Sequence, residues 1–122
     1  MDRDEMLART KEFAIRIIRL VAALPRDRQG DVIGRQLLKS GTSIGANYRE
    51  AIHASSKRHF ATILEIAQRE AHETLYWLEL IEAVDMIPVS RLEDIIQESR
   101  ELLAILTASA RTAKSKAGSP KD

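Results

Sequence analysis

Glu50-Ala51-Ile52-His53 is a Glu-x-x-His, the unit with which four-helix proteins hold paired iron or manganese ions. Such a centre needs two of these units and two further inward glutamates. The nearest second unit, Glu70-Ala71-His72-Glu73, carries glutamate where the histidine should stand. On a helical projection His53 also falls opposite Ile33, Leu37 and Tyr48, on the side that faces solvent. Half of the ligand set is missing, so no metal is expected. Nucleophilic chemistry has no better footing: cysteine is absent, and His53, His59 and His72 stand in no context that would activate a serine. Gly41-Thr42-Ser43-Ile44-Gly45 lacks the Lys-Ser/Thr of a phosphate-binding loop, and no strand precedes it. No catalytic residue, cofactor or small-molecule substrate is expected, and the chain reads as a non-enzyme.

Polar residues at the margin of the core pose a different question. Ser43, Asn47 and Glu50 recur at spacings of four and three, so they share one flank of a helix. Glu70 and Glu73 are set among Ile66 and Trp77. Polar groups in such places must find partners, and a desolvated carboxylate is otherwise protonated or destabilising. Hydrogen bonding between these two sets, or to an arginine such as Arg49, within or between subunits, is the expectation. Ligand binding is the alternative role for the same residues.

A third pattern is basic. Arg28, Arg35 and Lys39 fall within about 40° of one another on the solvent side of the same helix. Arg49 and His53 lie slightly to one side, and Arg26 sits in the preceding loop. Such a stripe attracts phosphates through counterion release. No aromatic platform for base stacking accompanies it, so sequence-specific RNA reading of the usual kind is not expected.

The elements that position these residues follow from apolar spacing. Met6, Phe13, Ile17, Leu20, Val21 and Leu24 repeat at three and four residues, which predicts a first helix over about 4–24, ended by Pro25. Ile33, Leu37, Ile44, Tyr48 and Ala51 predict a second over about 28–54. Four glycines weaken that segment at up to ~1 kcal/mol each relative to alanine. Gly41 and Gly45 flank Ile44 on the buried side, so close approach of a neighbouring helix is expected there. Ser55-Ser56 can cap a third helix over about 56–85, with Phe60, Ile63, Leu64, Ala67, Ala71, Leu78 and Ile81 inward. Past Pro88, Ser90 and Glu93 have capping-box spacing for a fourth helix over about 90–111. Its inward residues are Leu92, Ile95, Ile96, Leu102, Leu103 and Leu106. Residues 112–122 show no periodicity and are expected to be a disordered tail. Short connections predict an all-α, antiparallel up-down-up-down four-helix bundle formed by residues 1–111 as one domain.

Two helices carry more apolar surface than one core stripe requires. Ala8, Ile15, Ile18 and Ala22 lie off the core face of the first helix. Ile66, Glu70, Glu73, Trp77, Leu80 and Val84 form a strip roughly 100° from the core of the third. A strip holding Trp, Ile, Leu and Val together marks an interaction surface. Ile15, Ile18 and the strip are therefore the candidate oligomer interface.

Composition fits this picture. The 122 residues include no cysteine, 4% aromatic residues and a net charge of +1. The charge is uneven: residues 1–58 hold twelve Lys/Arg against seven Asp/Glu, and residues 59–111 hold four against ten. Basic and acidic helices can pair within the bundle or across subunits, or the basic half can face nucleic acid. The start carries charges of both signs, unlike a signal peptide, and the run from Phe13 to Leu24 is broken by Arg16 and Arg19 and too short to span a bilayer. A cytoplasmic location without membrane contact is expected.

Ser43-Ile44-Gly45-Ala46-Asn47-Tyr48-Arg49-Glu50-Ala51 and Glu70-Ala71-His72-Glu73-Thr74-Leu75-Tyr76-Trp77-Leu78 resemble the signature of the 23S rRNA intervening-sequence proteins. The matching residues are Ser43, Ile44, Ala46, Asn47, Glu50, Phe60, Ala67, Glu73 and Leu78. Many members place Gly-Ser just after the alanine of the third helix; this chain has Arg69-Glu70, as in a branch that also carries Tyr-Trp-Leu. The resemblance implies a four-helix bundle assembled as a ring-shaped homopentamer. It is similar, too, to the accessory proteins of diversity-generating retroelements, which are thought to bind nucleic acid beside a reverse transcriptase. The combined expectation is a homo-oligomeric binding or scaffold protein. Its favoured partner is RNA or DNA, held by Arg26, Arg28, Arg35, Lys39 and Arg49. A self-assembling adaptor that binds only a protein partner is the alternative.

Overall fold

The computed structural model describes residues 1–118. Among them α1 spans Arg3–Ala22, α2 Arg28–Ala51, α3 Lys57–Ala83 and α4 Glu93–Ala117, with one 3-10 turn at Val89–Arg91 before α4. Each helix packs chiefly on its neighbours in sequence, and α1 meets α4 lightly. This is the up-down-up-down bundle that the short connections predict. Phe13, Ile17, Leu37, Ile44, Leu78 and Leu106 are among the side chains wholly enclosed at its centre.

Three helix starts are fixed by side-chain caps, which satisfy amide groups that the first turn leaves without partners. Asp2 Oδ1 accepts from Glu5 N–H at 2.8 Å, Asp27 Oδ1 from Gly30 N–H at 2.8 Å, and Ser56 Oγ from His59 N–H at 3.0 Å. The fourth start departs from expectation. Ser90 and Glu93 form no capping box: Ser90 lies inside the 3-10 turn that follows Pro88, and no side chain caps α4. Leu92 occupies the cap position and is wholly buried, so packing fixes the entry that a hydroxyl was expected to fix.

The end of α3 is a Schellman turn. Met86 N–H donates to Ile81 O at 3.1 Å and Asp85 N–H to Glu82 O at 3.2 Å, with Asp85 at φ 56° in the left-handed region. At the other end of the chain, α4 does not stop at Arg111. Ala110, Ala113 and Ala117 are buried and continue the stripe of Leu102 and Leu106, so residues 112–117, expected as disordered tail, are helical. Residues 119–122, the remainder of that expected tail, lie outside the described residues.

The glycines of α2 do what their position predicts. An added Cβ at Gly41 would stand 2.9 Å from Ile17 Cγ1 and Cγ2, and one at Gly45 would stand 3.1 Å from Thr10 Oγ1. α1 lies close against that side of α2. This packing turns the opposite side of α2, with its basic residues, outward.

Candidate functional site

Arg28, Arg35, Lys39 and Arg49 are all exposed on α2, as is Arg26 in the loop before it. None has a carboxylate within ion-pair distance; among the described residues the ion pairs are those of Arg9. Two acids near the stripe are otherwise placed. Asp27 is engaged as the cap of α2. Asp31 shares with Arg26 and Arg35 an open cleft of about 320 Å³ beneath the α1–α2 turn, floored by Val21, Leu24 and Leu38. Lys39 lies at the α3 side of the stripe, near enough to Glu70 to favour its ionisation.

The strip on α3 is less open than its sequence suggests. Ile66, Glu70, Trp77 and Leu80 are half-buried, while Glu73 and Val84 are exposed. Trp77 packs partly on the core, donates from Nε1 to Glu73 Oε1 at 3.2 Å, and meets Tyr76 edge-on at 5.2 Å between ring centroids. Burial pushes the Glu70 carboxyl up, the charge of Glu73 pushes it further, and Lys39 and Arg69 oppose both. On α1, Ile18 is 50% exposed and Ile15 half-buried. Ile15 and Ile18 belong to α1 and the strip to α3, so the apolar residues form two patches on different helices.

The polar set on α2 behaves differently from expectation. Ser43 Oγ donates to Lys39 O at 2.6 Å and Asn47 Nδ2 donates to Ser43 O at 2.8 Å, so both side chains bond to their own helix. Glu50 is exposed and joins neither Ser43, Asn47 nor Arg49. No hydrogen bond links this set to Glu70 or Glu73 within the chain. The reason is local: a helical Ser or Asn can bond the carbonyl four residues back, and both do so here. His53, His72 and Glu73 are likewise exposed, and among the described residues no three metal-ligating side chains gather. Gly41 to Gly45 is continuous helix, not a loop.

One polar cluster had no local signal in the sequence. Arg9 of α1 donates from Nε and Nη2 to both carboxylate oxygens of Glu98 at 2.7 Å, and from Nη2 to Glu101 Oε1 at 2.8 Å, both acids on α4. The hydrogen bond with Glu98 pushes the guanidinium above its ordinary range. Glu101 is held below the usual carboxylate range, first by a hydrogen bond from Gln97 and then by Arg9. The fork closes the lightly packed seam between α1 and α4. Partners 89 and 92 residues apart leave no spacing to read.

Comparison with known proteins agrees with the geometry. Residues 3–108 match the pattern of the 23S rRNA-intervening sequence proteins. A solved structure, that of a protein of unknown function from the S23 ribosomal protein family of Bacteroides thetaiotaomicron VPI-5482, is 40% identical and superposes with a TM-score of 0.80. The similarity covers 86% of this chain and 97% of that one. No curated protein matches the sequence. With its bundle, its matched length and this neighbour, the chain belongs to the 23S rRNA-intervening sequence protein family.

Proposed function

We propose that the protein is a non-enzymatic, cytoplasmic binding or scaffold protein that assembles as a homopentameric ring and holds nucleic acid along the outer face of α2. The observation that carries the nucleic-acid reading is the isolation of Arg26, Arg28, Arg35, Lys39 and Arg49. All five are exposed and without carboxylate partners, whereas Arg9 is forked between two glutamates. Cations on one side of a helix that form no ion pair of their own are available to phosphates, and a ring repeats them. The ring reading is supported by the two separate apolar patches. A contact between the Ile15–Ile18 patch and the α3 strip of a neighbour would be heterologous, and such contacts close into rings when the rotation permits.

Electrophoretic shifts with single-stranded RNA and with duplex DNA, at low and physiological salt, test the partner. Affinity should fall steeply with salt, and the triple variant Arg28→Gln, Arg35→Gln, Lys39→Gln should bind more weakly with a flatter salt slope while its oligomer persists. If the wild-type protein binds neither nucleic acid at low salt, the partner is not nucleic acid and the self-assembling adaptor is the better reading; the half-exposed Trp77 strip favours that alternative. Light scattering tests the ring: a monomer of 13.7 kDa at micromolar concentration refutes it.

A further inference from the structure

Where α1 and α3 begin and α2 and α4 finish, the bundle leaves an open cavity at its end, a cleft of about 600 Å³. Phe60 and Leu64 of α3 form one wall, and Ala108 and Ala113 of α4 form another whose short side chains keep the space open. The rim is cationic, with Arg3, Lys57 and Lys116 all exposed. The one acidic side chain lining the cavity, Asp2, has an oxygen engaged in capping α1. Arg3 lies over the Phe60 ring at 5.9 Å from its centroid, which holds a positive charge against the apolar wall. Tyr48, 8% exposed, lines the same cavity, and its hydroxyl bonds to no protein group among the described residues. Burial pushes that phenol up, against the opposing charge of Arg3, so it stays a neutral donor.

Volumes of about 300–1,000 Å³, apolar walls and a few convergent polar groups are the general attributes of small-molecule sites. We propose that this cavity binds an amphipathic anion. Its alkyl or aryl body lies between Phe60, Leu64 and Ala113, and its single anionic head meets Arg3, Lys57, Lys116 and the Tyr48 hydroxyl. The charge selects an anion and the apolar wall selects against a bare phosphate. The site is separate from the outward stripe of α2, so it stands whether or not nucleic acid binds there.

The test is fluorescence titration with 8-anilinonaphthalene-1-sulfonate, followed by displacement with decanoate and with the neutral decanol. Saturable binding at one site per chain is expected, with decanoate displacing the dye and decanol on the order of tenfold less effective, the usual weight of a charged contact. The double variant Lys57→Gln, Lys116→Gln changes only exposed side chains and should weaken decanoate by a similar factor with unchanged helicity. Ser109→Trp, which fills the cavity, should abolish displacement. Non-saturable dye binding, equal potency of decanol, or indifference to the lysine variant overturns the proposal. Two further outcomes also overturn it. Tighter dye binding after truncation at Gly118 makes the chain's own end the occupant, and loss of binding on self-association makes it a second copy.

Discussion

Gly41→Ala adds one methyl at the closest point of the α1–α2 contact, and its cost can be worked from the geometry. The added Cβ would stand 2.9 Å from Ile17 Cγ1 and Cγ2 and 3.2 Å from Ile17 Cβ. Ordinary carbon contacts are about 3.5–4.0 Å. Ile17 is wholly buried and β-branched, so its side chain cannot turn aside and the helices must part. Overpacking of this kind costs ~1–3 kcal/mol, against a gain of up to ~1 kcal/mol from replacing a helical glycine. A net loss of ~1–2 kcal/mol is expected. Gly34→Ala is the contrast, since its Cβ would stand 3.3 Å from Leu24 Cδ1 and Val21 Cγ1, methyl tips that need yield only slightly. There helix propensity should win by ~0.5 kcal/mol. At about 3–4 °C per kcal/mol for a chain of this size, the two variants should melt about 5–10 °C apart, on opposite sides of wild type. Circular dichroism melts at one fixed concentration read this directly, since association shifts apparent stability. In the background of Ile17→Ala the Gly41→Ala loss should largely vanish. If Gly41→Ala melts at or above wild type, or if both alanine variants move together, the close-approach argument is wrong.

Three further substitutions have definite signs. Ser99→Ala should leave the melting temperature unchanged or raise it, because the Ser99 hydroxyl is buried without a partner; a loss above ~1 kcal/mol would show that the hydroxyl is bonded. Glu70→Gln should be more stable than wild type at pH 7. The folded-state pKa of Glu70 is raised, so its charging penalty is absent below the unfolded value near pH ~4.3, grows as pH rises through the window above it, and is complete above the folded value. The two proteins should therefore melt together at about pH 4 and below, and a Glu70→Gln that melts lower at pH 7 contradicts the assignment. Asp85→Gly should stabilise by ~1 kcal/mol in urea denaturation by relieving a left-handed non-glycine residue; a fall in the midpoint would assign the Asp85 side chain a capping role.

The bundle was legible because Leu, Ile and Phe recur at helical spacing in four segments, and the glycines of α2 announced a close neighbour. The end of α4 was not, because Ala110, Ala113 and Ala117 carry the periodicity with too little hydrophobicity to stand out among lysines, serines and threonines. Ser90 and Glu93 matched a capping box by spacing alone, but Pro88 begins a 3-10 turn and the burial of Leu92 sets where α4 starts. Ser43 and Asn47 were legible as polar residues at a margin; their preference for their own backbone over Glu70 and Glu73 emerged only with the helix built. The Arg9 fork joins opposite ends of the chain, and pairing at that range is set by the closed fold.

Because each helix rests chiefly on the helix before and after it, nearly every stabilising contact closes a short loop of chain. Low contact order of this kind places helical bundles among the fast folders, in microseconds to milliseconds. In the proposed ring the chain should therefore be folded well before it meets a second copy, which would make assembly, not folding, the slow and concentration-dependent step. The exception is the α1–α4 seam, which closes across most of the sequence. If subunits ever exchange a segment, α1 is the one whose release costs fewest contacts.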